Sequence, residues 1–226
     1  MHLELPKARL DSLKDFAKHY LMIVLSILTA LGLEAWIEHV HHAEAAQVAV
    51  ARMNHELHDN LAGIDDAFAR NQTTLGKLRE LERRVRADIA SGQPDAQINA
   101  DIHAHRDLFV VGINFPTQST DAWDVAVANQ SAGWIDASSL ERYSSAYSAD
   151  RALTSWVQHD AMLMFNGPQM VDVLSDLQLG NPVAPRPFLY DVIQLISSVG
   201  AAQVEIGAVR DELRKDLGVR AAATAG

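Results

Sequence analysis

Residues 20–33 read YLMIVLSILTALGL, a run without a single charge. Carried on through Ala35, Trp36 and Ile37, the stretch contains one ionisable group, Glu34. Its length is about 18 residues, which at about 1.5 Å per residue gives about 27 Å, close to the hydrocarbon thickness of a bilayer. Tyr20 and Trp36 stand near its two ends, where amphipathic rings favour the headgroup level. Glu34 lies about one helical turn from the outer boundary, where a carboxylate reaches water. Ser26 and Ala30 form a small-xxx-small pair that permits close approach of another helix. The segment 20–37 therefore reads as a transmembrane helix in contact with lipid.

Basic residues set the orientation. Lys7, Arg9, Lys14 and Lys18 precede the run, whereas residues 19–51 hold neither Lys nor Arg. The positive-inside rule places residues 1–19 in the cytoplasm and everything after Ile37 on the far side, the periplasm of a bacterium. A cleaved signal peptide would share the basic start, and Ala30-Leu31-Gly32 would serve as its small-x-small site. A buried core helix would share the apolar run. The length of the run, its interfacial Trp and the one-sided charge favour the anchor.

Beyond the span, apolar residues recur at three- and four-residue steps: Val50, Met53, Leu57, Leu61, Ile64, Phe68, Leu75, Leu78, Leu81, Val85 and Ile89. This stripe predicts a long amphipathic helix over 38–91, with Met53, Leu57, Leu61, Ile64 and Phe68 as its seam. No breaker separates Ile37 from Val50, so anchor and stripe read as one rod. Asn71-Gln72-Thr73-Thr74 interrupts the stripe and leaves room for a kink or break; Gly63 and Gly76 weaken the helix slightly. The run LRELERRVR (78–86) reads as a solvated face with internal Glu–Arg pairs.

Ser91-Gly92-Gln93-Pro94 is a stop, followed by a helix over about 96–108. FVVGINFP (109–116) reads as an extended connector, since one short strand has no partner. Thr120 is placed to cap a short helix to about Asn129, and Ser138-Ser139-Leu140-Glu141 fits a capping box opening a helix to about Phe165. Leu140, Tyr143, Tyr147, Leu153, Val157 and Met164 form its stripe. Asn166-Gly167-Pro168 stops it; a helix over 170–179, the loop GNPVAPRP (180–187) and a last helix over 188–217 follow. Residues 92–220 thus form a helical extracytoplasmic domain, and 221–226 (AAATAG) a frayed tail. The expected fold is all-α, a long anchored helix packed with several others as a bundle.

ILTALGLEAWIE (27–38), the Phe115-Pro116 connector and STDAWDVAVANQSAGWIDASSLERYSSAY (119–147) together resemble an uncharacterised family of small bacterial single-pass membrane proteins. The pattern is an apolar span ending in Trp and an acidic residue, matched by Trp36 and Glu38. A later block is matched by Trp123, Gly133, Ile135, Asp136, Leu140 and Tyr147. The resemblance covers about the first two thirds of the chain. It implies a membrane-anchored helical protein and no assigned activity.

The net charge of −10 disfavours nucleic acid as a partner, and the absence of cysteine excludes disulfides and thiolate chemistry. Ten histidines include His39, His41 and His42 beyond the span and His55 and His58 on the rod. At 100° per residue from Leu57, His39 falls at the same angle and His42 about 60° away, so both point along the apolar seam, whereas His41 and His55 fall on the opposite side and face solvent. His39, His42 and His58 are the weak metal candidates. His55-Glu56-Leu57-His58 lacks the i, i+4 pair of zinc peptidases, and the bland reading, solvated histidines at a polar boundary, carries more weight. Trp123, Trp134 and Trp156 read as core rather than as a ligand pocket. Neither a GxSxG elbow nor a phosphate-binding Gly-rich loop occurs, and no cofactor is implied.

The expected function is structural: a membrane-anchored periplasmic module, accessory or scaffold subunit of a membrane assembly or a homo-oligomer, with protein and lipid as partners. A sensory or ligand-binding bundle is the alternative; about 19 residues precede the span, with no output domain among them. A metal-dependent periplasmic enzyme is the third reading.

Overall fold

The computed structural model describes the backbone of residues 13–164 and 168–219, with side chains for 16–158 and 170–219. Lys7, Arg9, the Asn166-Gly167 stop, Phe165 and the tail 221–226 lie outside the described residues, as do the side chains of Lys14 and Met164. Among the described residues the fold is all-α, with no strand.

Helix α1, Leu13–Ala90, is a single helix of 78 residues, about 117 Å long at the standard rise. No proline occurs between Pro6 and Pro94, so every interior residue keeps its backbone donor. The helix ends in a Schellman motif: Gly92 takes a left-handed φ of 70°, Gln93 N donates to Asp88 O, and Gly92 N donates to Ile89 O.

From Phe16 to Ala45 no side chain of α1 is buried. Above that, Ala46, Ala49, Met53, Leu57, Leu61, Ile64, Leu75, Leu78, Leu81 and Val85 are buried along one face, and Phe68 is half-buried. The remaining elements wrap this upper part. They are α2 (Asp95–Ala104), a 3-10 turn (Arg106–Leu108), an extended segment (109–120), α3 (Asp121–Ala128) and a second 3-10 turn (Ser131–Trp134). Then come α4 (Ala137–Met164), α5 (Pro168–Leu179) and α6 (Pro185–Asp216). Helices α5 and α6 start earlier than their apolar patterns suggest because Pro168 and Pro185 take the first helical position, where a missing N–H costs nothing.

Two cores stack along α1. The lower one joins Met53, Leu57, Leu61 and Ile64 to Tyr143, Tyr147 and Leu153 of α4 and to Ile206 and Leu213 of α6. The upper one joins Leu75, Leu78, Leu81 and Val85 to Ile98 and Ile102 of α2, Leu177 of α5, and Phe188, Val192, Leu195 and Val199 of α6. Helix α6 runs antiparallel to α1: Gln203 Nε2 donates to Phe68 O at 3.0 Å, Arg214 meets Asp65 at 2.6 Å, and Arg210 lies over the Phe68 ring.

The Asn71 interruption is not a kink. Asn71 is buried and clamps the extended segment: its Nδ2 donates to Asn114 O and its Oδ1 accepts from Asn114 N, both at 2.8 Å. Asn60 repeats the device on Ser119, donating to its carbonyl at 2.8 Å and accepting from its N–H at 3.1 Å. The register follows from geometry. Eleven helical residues rise about 16.5 Å and return to within about 20° of the same face, while five extended residues span about the same length. Asn99 of α2 clamps Val183 in the same way.

Two caps also differ from expectation. Thr120 makes no capping bond, its hydroxyl going to Asp124 Oδ2. Helix α4 is capped by Asp136, not Ser138: Asp136 Oδ1 accepts from the Ser138 hydroxyl and Ser139 N. Those two bonds, the Ser138 hydroxyl first, hold the Asp136 carboxyl well below the usual carboxylate range. The expected helix to residue 108 ends at Ala104, with the 3-10 turn after it.

Among the described residues two helices are long and apolar enough to cross a membrane, and burial separates them. The N-terminal window on α1 is 0 % buried, whereas the window on α6 is 28 % buried and supplies core residues to both clusters. The first has the exposure of a lipid-facing helix; the second packs inside the domain.

Candidate functional site

Where α1, α3, α4 and the extended segment meet, the lower core carries a chain of bonded polar groups. Glu56 sits one residue before the seam residue Leu57, so its carboxylate turns toward α3 rather than into the apolar centre. It accepts from the Ser119 hydroxyl at 2.5 Å, from Ala122 N at 3.1 and 3.2 Å, and from the Tyr147 hydroxyl at 2.8 Å. Glu56 therefore caps α3 from another helix, placing a carboxylate on the free N–H of Ala122, one of the N-terminal positions that a local cap would serve. Burial, then the bond to Glu56, push the Tyr147 hydroxyl well above its ordinary range, so it remains a donor.

One turn along α4, Asp150 is wholly buried. Its Oδ2 accepts from Asn60 Nδ2 at 2.7 Å, while Oδ1 has no hydrogen-bond partner. Burial, reinforced by the Glu56 carboxylate and opposed by Asn60 and Arg151, pushes the Asp150 carboxyl up to about 6. Asn60 thus holds two elements at once, the extended segment and α4. Tyr143 adds a bond from its hydroxyl to Asn54 Oδ1 at 2.9 Å.

Outside this chain a groove runs between α1 and α3. Two adjoining cavities of about 400 and 430 Å³ share Arg52, Ala122 and Val125. The lower is floored by Ala45, Val48, Ala49 and Ala126; the upper is rimmed by His55, Asp59 and Asp121. Small side chains on both helices let an incoming helix or peptide approach closely, and the mixed rim offers both signs of charge.

The sequence candidates distribute themselves differently. Tyr20, Ser26, Ala30 and Trp36 are exposed on the bare part of α1, with the Ser26 hydroxyl returned to Met22 O at 2.8 Å. Met53, Leu57, Leu61 and Ile64 are core. His39 and His58 are exposed. His42, the lowest occupied seam position, stacks on Trp134 with ring centroids 3.7 Å apart and planes within 9°. His55 pairs with Asp59 at 3.5 Å. Among the described residues no three His, Asp or Glu side chains converge as a metal site. The three tryptophans do not meet: Trp123 packs on Tyr147 at 5.5 Å and Trp156 on Phe115 at 6.0 Å.

Glu56, Asn60, Ser119 and Asp150 were not candidates from the sequence. The usable signal was Asn60 and Asn71 standing eleven apart on the apolar face. Chemically the chain is a joint: Asp150 Oδ1 aside, its donors and acceptors bond one another, and the Ser119 hydroxyl donates to the Glu56 carboxylate. Set against protein-family models, curated proteins and solved structures, this chain matches none of them.

Proposed function

We propose that this chain is a membrane-anchored module of interaction type, an accessory or scaffold subunit of a membrane assembly or a homo-oligomer. Its N-terminus lies in the bacterial cytoplasm and its helical domain in the periplasm. Membership of the uncharacterised single-pass family belongs to the same proposal. The observation that carries it is the continuity of α1 from a bare apolar window into the centre of a packed domain. A helix with no break holds the domain, and whatever sits in the α1–α3 groove, at a set height above the lipid. The groove is the docking surface this reading favours, since it borders the bare part of α1 and combines an apolar floor with a polar rim.

Two fusions test topology: a phosphatase reporter at the C-terminus is expected to be active only when exported, and a cytosolic reporter at the same place to be silent. Activity of the cytosolic fusion alone overturns the orientation. Copurification from native membranes after cross-linking residues introduced at Val48 and Val125 tests the groove; adducts equally frequent on the far face, at Val204, argue against it.

A sensory reading draws support from one feature, the buried Asp150, whose charge state changes in the mildly acidic range. A metal-dependent enzyme draws no comparable support.

A further inference from the structure

Trp134 is the largest aromatic left open on the domain, at 53 % exposure, and its position is held from both sides. Ser131 and Ala132 before it and Ile135 after it are buried. The chain enters this 3-10 turn through Gln130, whose φ of 65° is left-handed, and Asn129 Oδ1 accepts from Ser131 N at 3.0 Å. A non-glycine residue held there marks a turn fixed by its surroundings. Helix α3 descends antiparallel to α1, from Ala122 beside Glu56 to Asn129 beside His41 and Glu44. The turn is therefore at the foot of the domain, with Trp134 laid flat on His42.

The height of that foot follows from α1. His42 is five residues past Ile37, about 7.5 Å along the axis. The headgroup layer extends about 5–7 Å beyond the hydrocarbon. Side chains on α1 lean toward its N-terminus, and so toward the lipid. A helix tilted by about 20° lowers a point about 10 Å off its axis by about 3 Å, enough to bring the foot to the headgroups.

We propose that Trp134 is a second lipid contact, a headgroup-level foot that fixes the direction in which the rod leans. This rests on the membrane reading above. An indole is suited to that level, apolar in body with one N–H donor. Residues 129–136 read NQSAGWID and hold no Lys or Arg. The contact is thus aromatic rather than electrostatic, and a zwitterionic surface suffices.

The test uses the full chain in nanodiscs of zwitterionic lipid, with and without headgroup spin-labelled lipid. Wild-type emission minus that of Trp134→Phe isolates Trp134; wild type minus Trp36→Phe isolates Trp36. Helix content by circular dichroism confirms folding, and Trp134→Tyr replaces Trp134→Phe should the latter fail to fold. The expected result is loss of most Trp134 emission to the labelled lipid, a blue shift relative to detergent, protection from aqueous iodide, and no change on adding salt or anionic lipid. A Trp134 component open to iodide and untouched by the label, while Trp36 is quenched, overturns the foot and leaves the anchor standing. Protection from both quenchers, as a second copy covering the ring would give, overturns it as well. Failure of the label to quench Trp36 overturns the anchor and the foot together.

Discussion

Replacing Asp150 by Asn should stabilise the protein at neutral pH, and the sign follows from where the carboxyl sits. It is buried, its Oδ1 has no partner, Glu56 of α1 adds a like charge, and only Asn60 and Arg151 oppose. The folded carboxyl titrates at about 6 against an ordinary value of 3.8. Below about pH 4 the acid is protonated in both folded and unfolded chains, and its full contribution is present. Between about pH 4 and 6 the unfolded chain gives up its proton while the folded one keeps it, so stability falls as pH rises; above about 6.5 the loss is complete. Two units of displacement correspond to about 3 kcal/mol, an upper figure because a burial cost is partly relieved by relaxation. Asn keeps the shape and an acceptor for Asn60 without ever ionising. Urea unfolding of the full chain in detergent, followed by tryptophan emission from pH 4 to 8, reads the effect. Wild type should lose stability across the window while Asp150→Asn loses less, the two curves separating by about 2–3 kcal/mol at pH 7.5 and converging near pH 4. Asp216, raised chiefly by burial, contributes in the same sense in both proteins. Asp136, whose carboxyl is lowered, acts oppositely and destabilises both as pH falls through its own range. Parallel curves for the two proteins, or an Asp150→Asn variant weaker at pH 7.5, would refute the reasoning.

Asn71→Ala strips both bonds from the Asn114 peptide group and should cost about 2–4 kcal/mol, with faster hydrogen exchange at Asn114 than at Ser119, whose Asn60 clamp is intact. Gly76→Ala, with open space around the new methyl, should raise stability by about 0.5–1 kcal/mol. Gly207→Ala should yield no such gain, because the methyl meets Phe68 Cε2 at 3.3 Å on a ring held beneath Arg210; chemical denaturation of the pair side by side checks both. Leu57→Ala and Leu78→Ala each empty a fully buried site, should each cost about 2–5 kcal/mol, and should add when combined, since they lie in separate cores.

The rod, its apolar seam and the chain breaks were legible because their signals are local: an uncharged run, a 3.6-residue period and Gly or Pro at the stops. What escaped depended on partners distant in sequence. Asn71 looked like a fault in the stripe because its partner, Asn114, is 43 residues away. The cap of α3 was sought at Thr120, next to the helix, whereas the carboxylate that serves it comes from Glu56, 66 residues earlier. For α4 the capping chemistry was right in kind and misplaced by two residues, Asp136 outcompeting Ser138. Asp150 sits in RYSSAYSADRAL, where alternating small and polar residues hide which face is buried. His39 and His42 were both read along the seam; His39 is exposed and His42 is covered, and nothing local announced Trp134 as the ring that would cover it.

These distant contacts converge on one side of α1. Glu56 holds the start of α3, the Tyr147 hydroxyl of α4 holds Glu56, and Asn60 binds the extended segment and Asp150 together. The outer wall of the groove is α3, a helix of only 8 residues that would be marginal alone. A partner in the groove, as proposed above, would press on the element least able to hold itself, and the strain would pass first to Glu56 and from there to α4. The bare part of α1 offers no proline hinge and is helical throughout. Movement of α3 against a rigid α1 is therefore the response the fold permits most easily, and ionisation of Asp150 loosens the same joint from within.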